Sequence, residues 1–115
     1  MNQTIVTINL EIGLPTLEEA RQKLKFELER CRNQKAAAVK IIHGYGSSGV
    51  GGVLRQGIRK SLALRRKEGL IKAVVYGEKW DIFDPLTQQA LEQCPALSKD
   101  RDLYNSNPGI SIVLL

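Results

Sequence analysis

With 115 residues, 43% apolar and 25% charged, the chain suits one domain built on one core, residues 1–115 together, and its composition excludes two full domains or a disordered chain. Its net charge of +5 hides a segregation: residues 21–79 hold fifteen Lys or Arg against Glu27, Glu29, Glu68 and Glu78, a net +11, while residues 1–20 and 80–115 each sum to −3. One histidine and two cysteines cannot build a paired Cys/His zinc site, no apolar run nears the about 18 residues of a membrane span, and Met1-Asn2-Gln3-Thr4 lacks the pattern of a signal peptide, so a soluble cytoplasmic protein with no membrane partner is expected.

From Ile5 to Ile12 the apolar positions Val6, Ile8, Leu10 and Ile12 alternate with polar ones, which predicts a half-buried strand. Thr16 then stands three residues before Glu19, the pattern of a capping box, and a helix is expected to about Arg32. Leu17, Ala20, Leu24, Leu28 and Cys31 share one face of it, so Cys31 has a packing role. Ala37–Ile42 is a short, partly β-branched run suited to a central strand. Five glycines follow in residues 44–52, and the steps Leu54, Ile58 and Leu62 predict a second helix ending near Glu68-Gly69.

Leu70–Tyr76 predicts a third strand. Asp84-Pro85 reads as an N-cap with proline in the first turn, opening a short helix from Leu86 to about Cys94. Ser98–Gly109 reads as a loop and Ile110–Leu115 as a last strand. The order βαβαβ(α)β is that of an α/β two-layer sandwich with the early strands parallel.

The glycine segment carries the chemistry. A strand, a tight glycine turn and a helix start bring backbone N–H groups and the positive end of a helix to one point, which favours phosphate. The segment is not a Walker A loop, because Val50 follows Gly49 where lysine is required. Gly44, Gly46 and Gly49 match GxGxxG, but 115 residues cannot hold two mononucleotide halves, so no dinucleotide cofactor is expected. His43, at the strand end, has the pKa class for proton transfer. Arg55, Arg59 and Lys60 follow within two helical turns. Nucleic acid is the partner class that a concentrated basic region and a phosphate-binding loop suit together. The candidate contacts are Gly44, Tyr45, Gly46, Ser47, Ser48, Gly49, Gly51, Gly52, Arg55, Arg59 and Lys60. The loop aromatics Tyr45, Tyr76, Trp80, Phe83 and Tyr104 are too few to support sequence-specific reading of single strands.

IIHGYGSSGVGGVLRQGIRKSL, residues 41–62, resembles the second motif of the Smr (small MutS-related) domain: an apolar strand, HGxG, further glycines and a VLR helix start. LPTLEEARQKLKFELERC resembles that family's first helix, with its T-x-x-EA pattern, and Ile110–Leu115 its closing strand. The resemblance implies a mixed four-stranded sheet, similar to the C-terminal domain of bacterial translation initiation factor three, binding to DNA or structured RNA, the ribosome included, and endonuclease activity in some members. In it His43, Gly44 and Gly46 take the HGxG positions. The family's LDLHG motif falls on Ile8–Gly13, where Asn9 replaces the acidic residue, Glu11 the histidine, and Ile12 is an insertion. An amide cannot accept a proton as a carboxylate does. Phosphodiester cleavage would therefore rest on His43 and Glu11 as the catalytic pair, with or without a divalent metal. A non-catalytic RNA-binding or ribosome-binding module is the alternative, and a protein-interaction module using Trp80–Phe83 within an extended connection at about 78–108 is a third.

Overall fold

A computed structural model describes residues 3–44 and 49–115, with the backbone alone over 49–51. The alternating and apolar runs form strands β1 (Ile5–Asn9), β2 (Ala38–Ile42), β3 (Ala73–Tyr76) and β4 (Ile110–Leu114). The periodic segments form helices α1 (Leu17–Asn33), α2 (Gly49–Lys67) and α3 (Pro85–Gln93), and short 3-10 turns cover Gly77–Lys79 and Pro95–Lys99. The four strands make one mixed sheet in the order β1-β2-β4-β3. β1 runs parallel to β2, Ile5 opposite Ala38 and Asn9 opposite Ile42, while β4 is antiparallel to both β2 and β3. The C-terminal ends of β1, β2 and β3 and the start of β4 therefore share one edge of the sheet.

On one face, Ile8, Val39, Ile41, Val74 and Val113 pack against Ala20, Leu24, Leu28 and Cys31 of α1 and Leu54, Ile58 and Leu62 of α2. This is the expected sandwich. Its other face is not left bare: Ala38, Ala73, Val75, Ile110, Ile112 and Leu114 meet Trp80, Ala90, Cys94 and Leu97. β2 and β4 are buried on both sides, as apolar central strands must be, and the connection at 77–108 supplies the second cover. That cover is pinned by charge. Lys40 Nζ meets Asp100 Oδ1 at 2.7 Å and Asp102 Oδ2 at 2.5 Å, Trp80 Nε1 donates to Asp100 Oδ2, and Asn107 Nδ2 donates to Asp102 Oδ1.

Several boundaries differ from expectation. β1 stops at Asn9 rather than Ile12. Leu10 N still donates to Ile42 O, but Gly13 and Leu14 at φ +83° and +49° turn the chain away and leave Ile12 70% exposed. α2 starts at Gly49, so Gly49, Gly51 and Gly52 belong to its first turns instead of to a loop. Ser98–Gly109, expected as loop alone, begins inside a 3-10 turn. Cys31 and Cys94 are buried free thiols, consistent with packing roles.

The capping box at the start of α1 forms as expected: Glu19 N donates to Thr16 Oγ1 at 3.1 Å and Thr16 N to Glu19 Oε1 at 3.0 Å. Thr16→Ala is expected to cost about 1 kcal/mol in urea denaturation, since it orphans a first-turn amide. An unchanged midpoint would show that the cap is dispensable.

Candidate functional site

Four chain segments converge at the shared edge, the side of an open α/β sheet where ligands bind. Asn9 ends β1 and leads into Leu10 and Glu11, His43 and Gly44 follow β2, Tyr76 ends β3 and leads into Gly77 and Glu78, and Asn107 to Gly109 precede β4. Gly109 O gathers two of them, accepting from both His43 N and Gly44 N at 3.0 Å. Gly44 has φ +80°, and a Cβ on it would run into the Glu11 carboxylate. Glycine is thus required here both for the turn and for the approach of Glu11. Asn9, standing where the resemblance expects an acid, uses Oδ1 to accept from Glu11 N at 2.9 Å, which closes the turn carrying Glu11.

His43 has no exposed surface. Its Nδ1 lies 2.8 Å from Gly44 O and its Nε2 2.9 Å from Ser111 Oγ. A carbonyl oxygen only accepts, so Nδ1 carries the proton and, in the neutral ring, Nε2 accepts from the Ser111 hydroxyl. Burial holds the imidazole below its ordinary pKa of 6.5, and the nearby Arg59 and Arg55 add to this, outweighing the bond to Gly44 and the pull of Glu78. At neutral pH the ring is uncharged, both nitrogens are engaged, and it positions the Gly44 turn. Of the two residues expected to move protons, the exposed Glu11 is the one open to solvent. Ser111 was not identifiable as a partner from its neighbours, although a hydroxyl inside the apolar run ISIVLL is itself a signal that something buried needs a hydrogen bond.

The basic residues divide into two kinds. Arg59 is engaged: Nη1 and Nη2 donate to the two Glu78 carboxylate oxygens at 2.9 and 2.5 Å, Nη2 also reaches Pro108 O at 3.2 Å, and the guanidinium lies 4.3 Å over the Tyr76 ring. Burial would raise the Glu78 carboxyl, but Arg59, with Arg55 adding, holds it below the usual range. Arg55, one turn earlier on α2, thus acts on both His43 and Glu78 and forms no ion pair among the described residues. Lys60 is exposed and lines an open groove with Arg21, Gln56, Leu17 and Val53 between α1 and α2.

Tyr45, Gly46, Ser47 and Ser48 lie outside the described residues. Of the loop aromatics, Trp80 is buried and Tyr76 lies under Arg59, while Phe83 and Tyr104 are exposed on the connection. Among the described residues no three His, Cys, Asp or Glu side chains gather to hold a metal ion, and no helix is long and apolar enough to cross a membrane.

A family model described as the Smr domain matches residues 12–80, from the turn after β1 through α1, β2, α2 and β3 to Trp80. Among solved structures, the Smr domain of Thermus thermophilus MutS2 is similar in fold, with a TM-score of 0.55 at 20% identity over 97% of this chain and 96% of that one. No curated protein matches the chain.

Proposed function

Because the chain belongs to the Smr domain family, we propose that it binds the sugar-phosphate backbone of DNA or structured RNA, across the converging edge of the sheet and along α2. One observation carries this reading. α2 holds six Lys or Arg and no acidic residue, begins at that edge, and lies beside Arg21, Lys25 and Arg32 of α1. The acidic segment 80–108 lies on the opposite face of the sheet, so a polyanion is attracted to one side and repelled from the other. Arg55 and Lys60 supply phosphate contacts.

Binding should be salt-dependent. Four phosphate contacts correspond to a slope of about −3.6 in log K against log salt, or roughly a hundredfold loss between 50 and 200 mM for B-DNA. Arg55→Ala should make the slope shallower by about 1. Affinity that holds constant over that range defeats the proposal.

Cleavage is the second reading, favoured by the seat of Glu11 over Gly44. In it the Glu11 carboxylate takes the proton of a water that attacks phosphorus, cationic side chains neutralise the developing charge, and the leaving oxygen is protonated from solvent. Nicking of supercoiled plasmid or cutting of structured RNA, with and without divalent metal, tests it. Loss of cutting in Glu11→Gln with binding retained supports it, whereas binding with every substrate left intact assigns the chain a non-catalytic role.

A further inference from the structure

We propose that Arg55 and Arg59 form a phosphate subsite which Glu78 occupies in the free protein and vacates when a backbone phosphate arrives. The inference rests on the nucleic-acid reading above and adds a built-in competitor to it. Arg59 presents two parallel N–H donors to two carboxylate oxygens at 2.9 and 2.5 Å, the same fork that it would offer two phosphate oxygens.

The two partners are held unequally. The Arg59 side chain is 18% exposed and would keep its place without Glu78, because Pro108 O at 3.2 Å and the Tyr76 ring at 4.3 Å also hold it. Its Nε is buried with no hydrogen-bond partner among the described residues, so the outward-facing Nη1 and Nη2 are the donors that a phosphate can reach. Glu78 is 36% exposed, twice as much as Arg59, and sits in a short turn after the sheet edge with Arg59 as its side-chain partner.

Charge makes the exchange workable. A carboxylate replaced by one phosphodiester leaves the charge on Arg59 matched, while the adjoining phosphate of the same strand can meet Arg55, which Glu78 does not pair. A tethered carboxylate competes at high effective concentration. The competition weakens a lone anion and a polyanion by the same factor, but only a polyanion engaging α2 at several points has other contacts to offset it. The site is thereby biased against free phosphate and towards a backbone.

The test compares wild type, Glu78→Gln and Arg59→Ala/Glu78→Gln in two measurements: affinity for a short labelled DNA duplex across a salt series, and the thermal shift produced by inorganic phosphate against chloride at equal ionic strength. Glu78→Gln should bind the duplex about tenfold tighter with an unchanged salt slope, because the same phosphate contact forms without a carboxylate to displace. It should also gain a phosphate-specific thermal shift that wild type lacks, and the double variant should lose both gains. Should Glu78→Gln not fold, Glu78→Asp, which falls short of the fork, should give the same changes with smaller amplitude. Salt-dependent binding equal in wild type and Glu78→Gln overturns the subsite and leaves the nucleic-acid reading standing. A phosphate shift in Glu78→Gln without duplex binding by any variant supports the subsite as an anion site and overturns that reading. No binding and no shift overturns both.

Discussion

Lys40→Ala is expected to destabilise the fold by about 3–5 kcal/mol, the range for removing one member of a buried ion pair. The side chains concerned are nearly dry: Lys40 is 10% exposed, Asp100 14% and Asp102 12%. Alanine would leave two carboxylates facing each other under the connection with only Trp80 Nε1, Asn107 Nδ2 and the Asp102 amide as donors. Burial alone would lower the Lys40 pKa, but the two carboxylates overcome it and hold it above 10.5. Burial would likewise raise Asp102, yet Lys40 and Asn107 hold it below 3.8. The signs follow from linkage. The Asp102 contribution is present above pH 3.8 and is lost as pH falls through its lowered value, and the Lys40 contribution is lost only as pH rises through its raised one. Urea denaturation near pH 7 is the measurement. A loss under 1 kcal/mol would mean that solvent screens the network and that apolar packing alone holds segment 77–108 in place.

Lys40 also marks where the sequence stops being legible. Ala37–Ile42 reads as an apolar central strand that gives no role to its lysine, because the partners Asp100 and Asp102 lie some sixty residues away in what reads as a polar loop. Elements whose cause is local were all readable: the Thr16 box, the Asp84 cap with Pro85, the Gly69 stop and the alternation in β1. Boundaries set by where a turn falls or where a core anchor lies were not. Ile12 continues the alternation on paper, yet Gly13 and Leu14 turn the chain before it can pair. Gly49, Gly51 and Gly52 read as loop by composition, yet the helix propagates back through them because Leu54 and Ile58 anchor its next turns in the core.

The same division holds at the site. Glycine and histidine at a strand end were recognisable by type, and so were the basic residues of α2. The pairing of Arg59 with Glu78 was not, since nothing local distinguishes it from Arg55, which has no such partner. Glu78 counts in the sequence only towards the charge balance, and its neighbour in the fold is a guanidinium on the preceding helix.

His43→Ala should cost about 3 kcal/mol and alter how stability depends on pH. The cost has two sources: a void in a fully buried position, and the loss of partners for the Ser111 hydroxyl and Gly44 O. The pH effect follows from the lowered pKa. The unfolded chain takes up a proton as pH falls through 6.5 while the folded chain refuses it, so wild-type stability is full above 6.5 and declines below it. The slope approaches about 1.4 kcal/mol per pH unit until the lowered folded value is reached. His43→Ala removes this decline, so the two stability curves should converge as the buffer is taken from pH 7 to pH 5. Parallel curves would show that the imidazole protonates in place and is open to solvent, which would return it to the proton-transfer role that its burial argues against. Convergence, together with a lower affinity for nucleic acid that follows the fraction folded, would identify His43 as the residue that holds Gly44 and the seat of Glu11 in position.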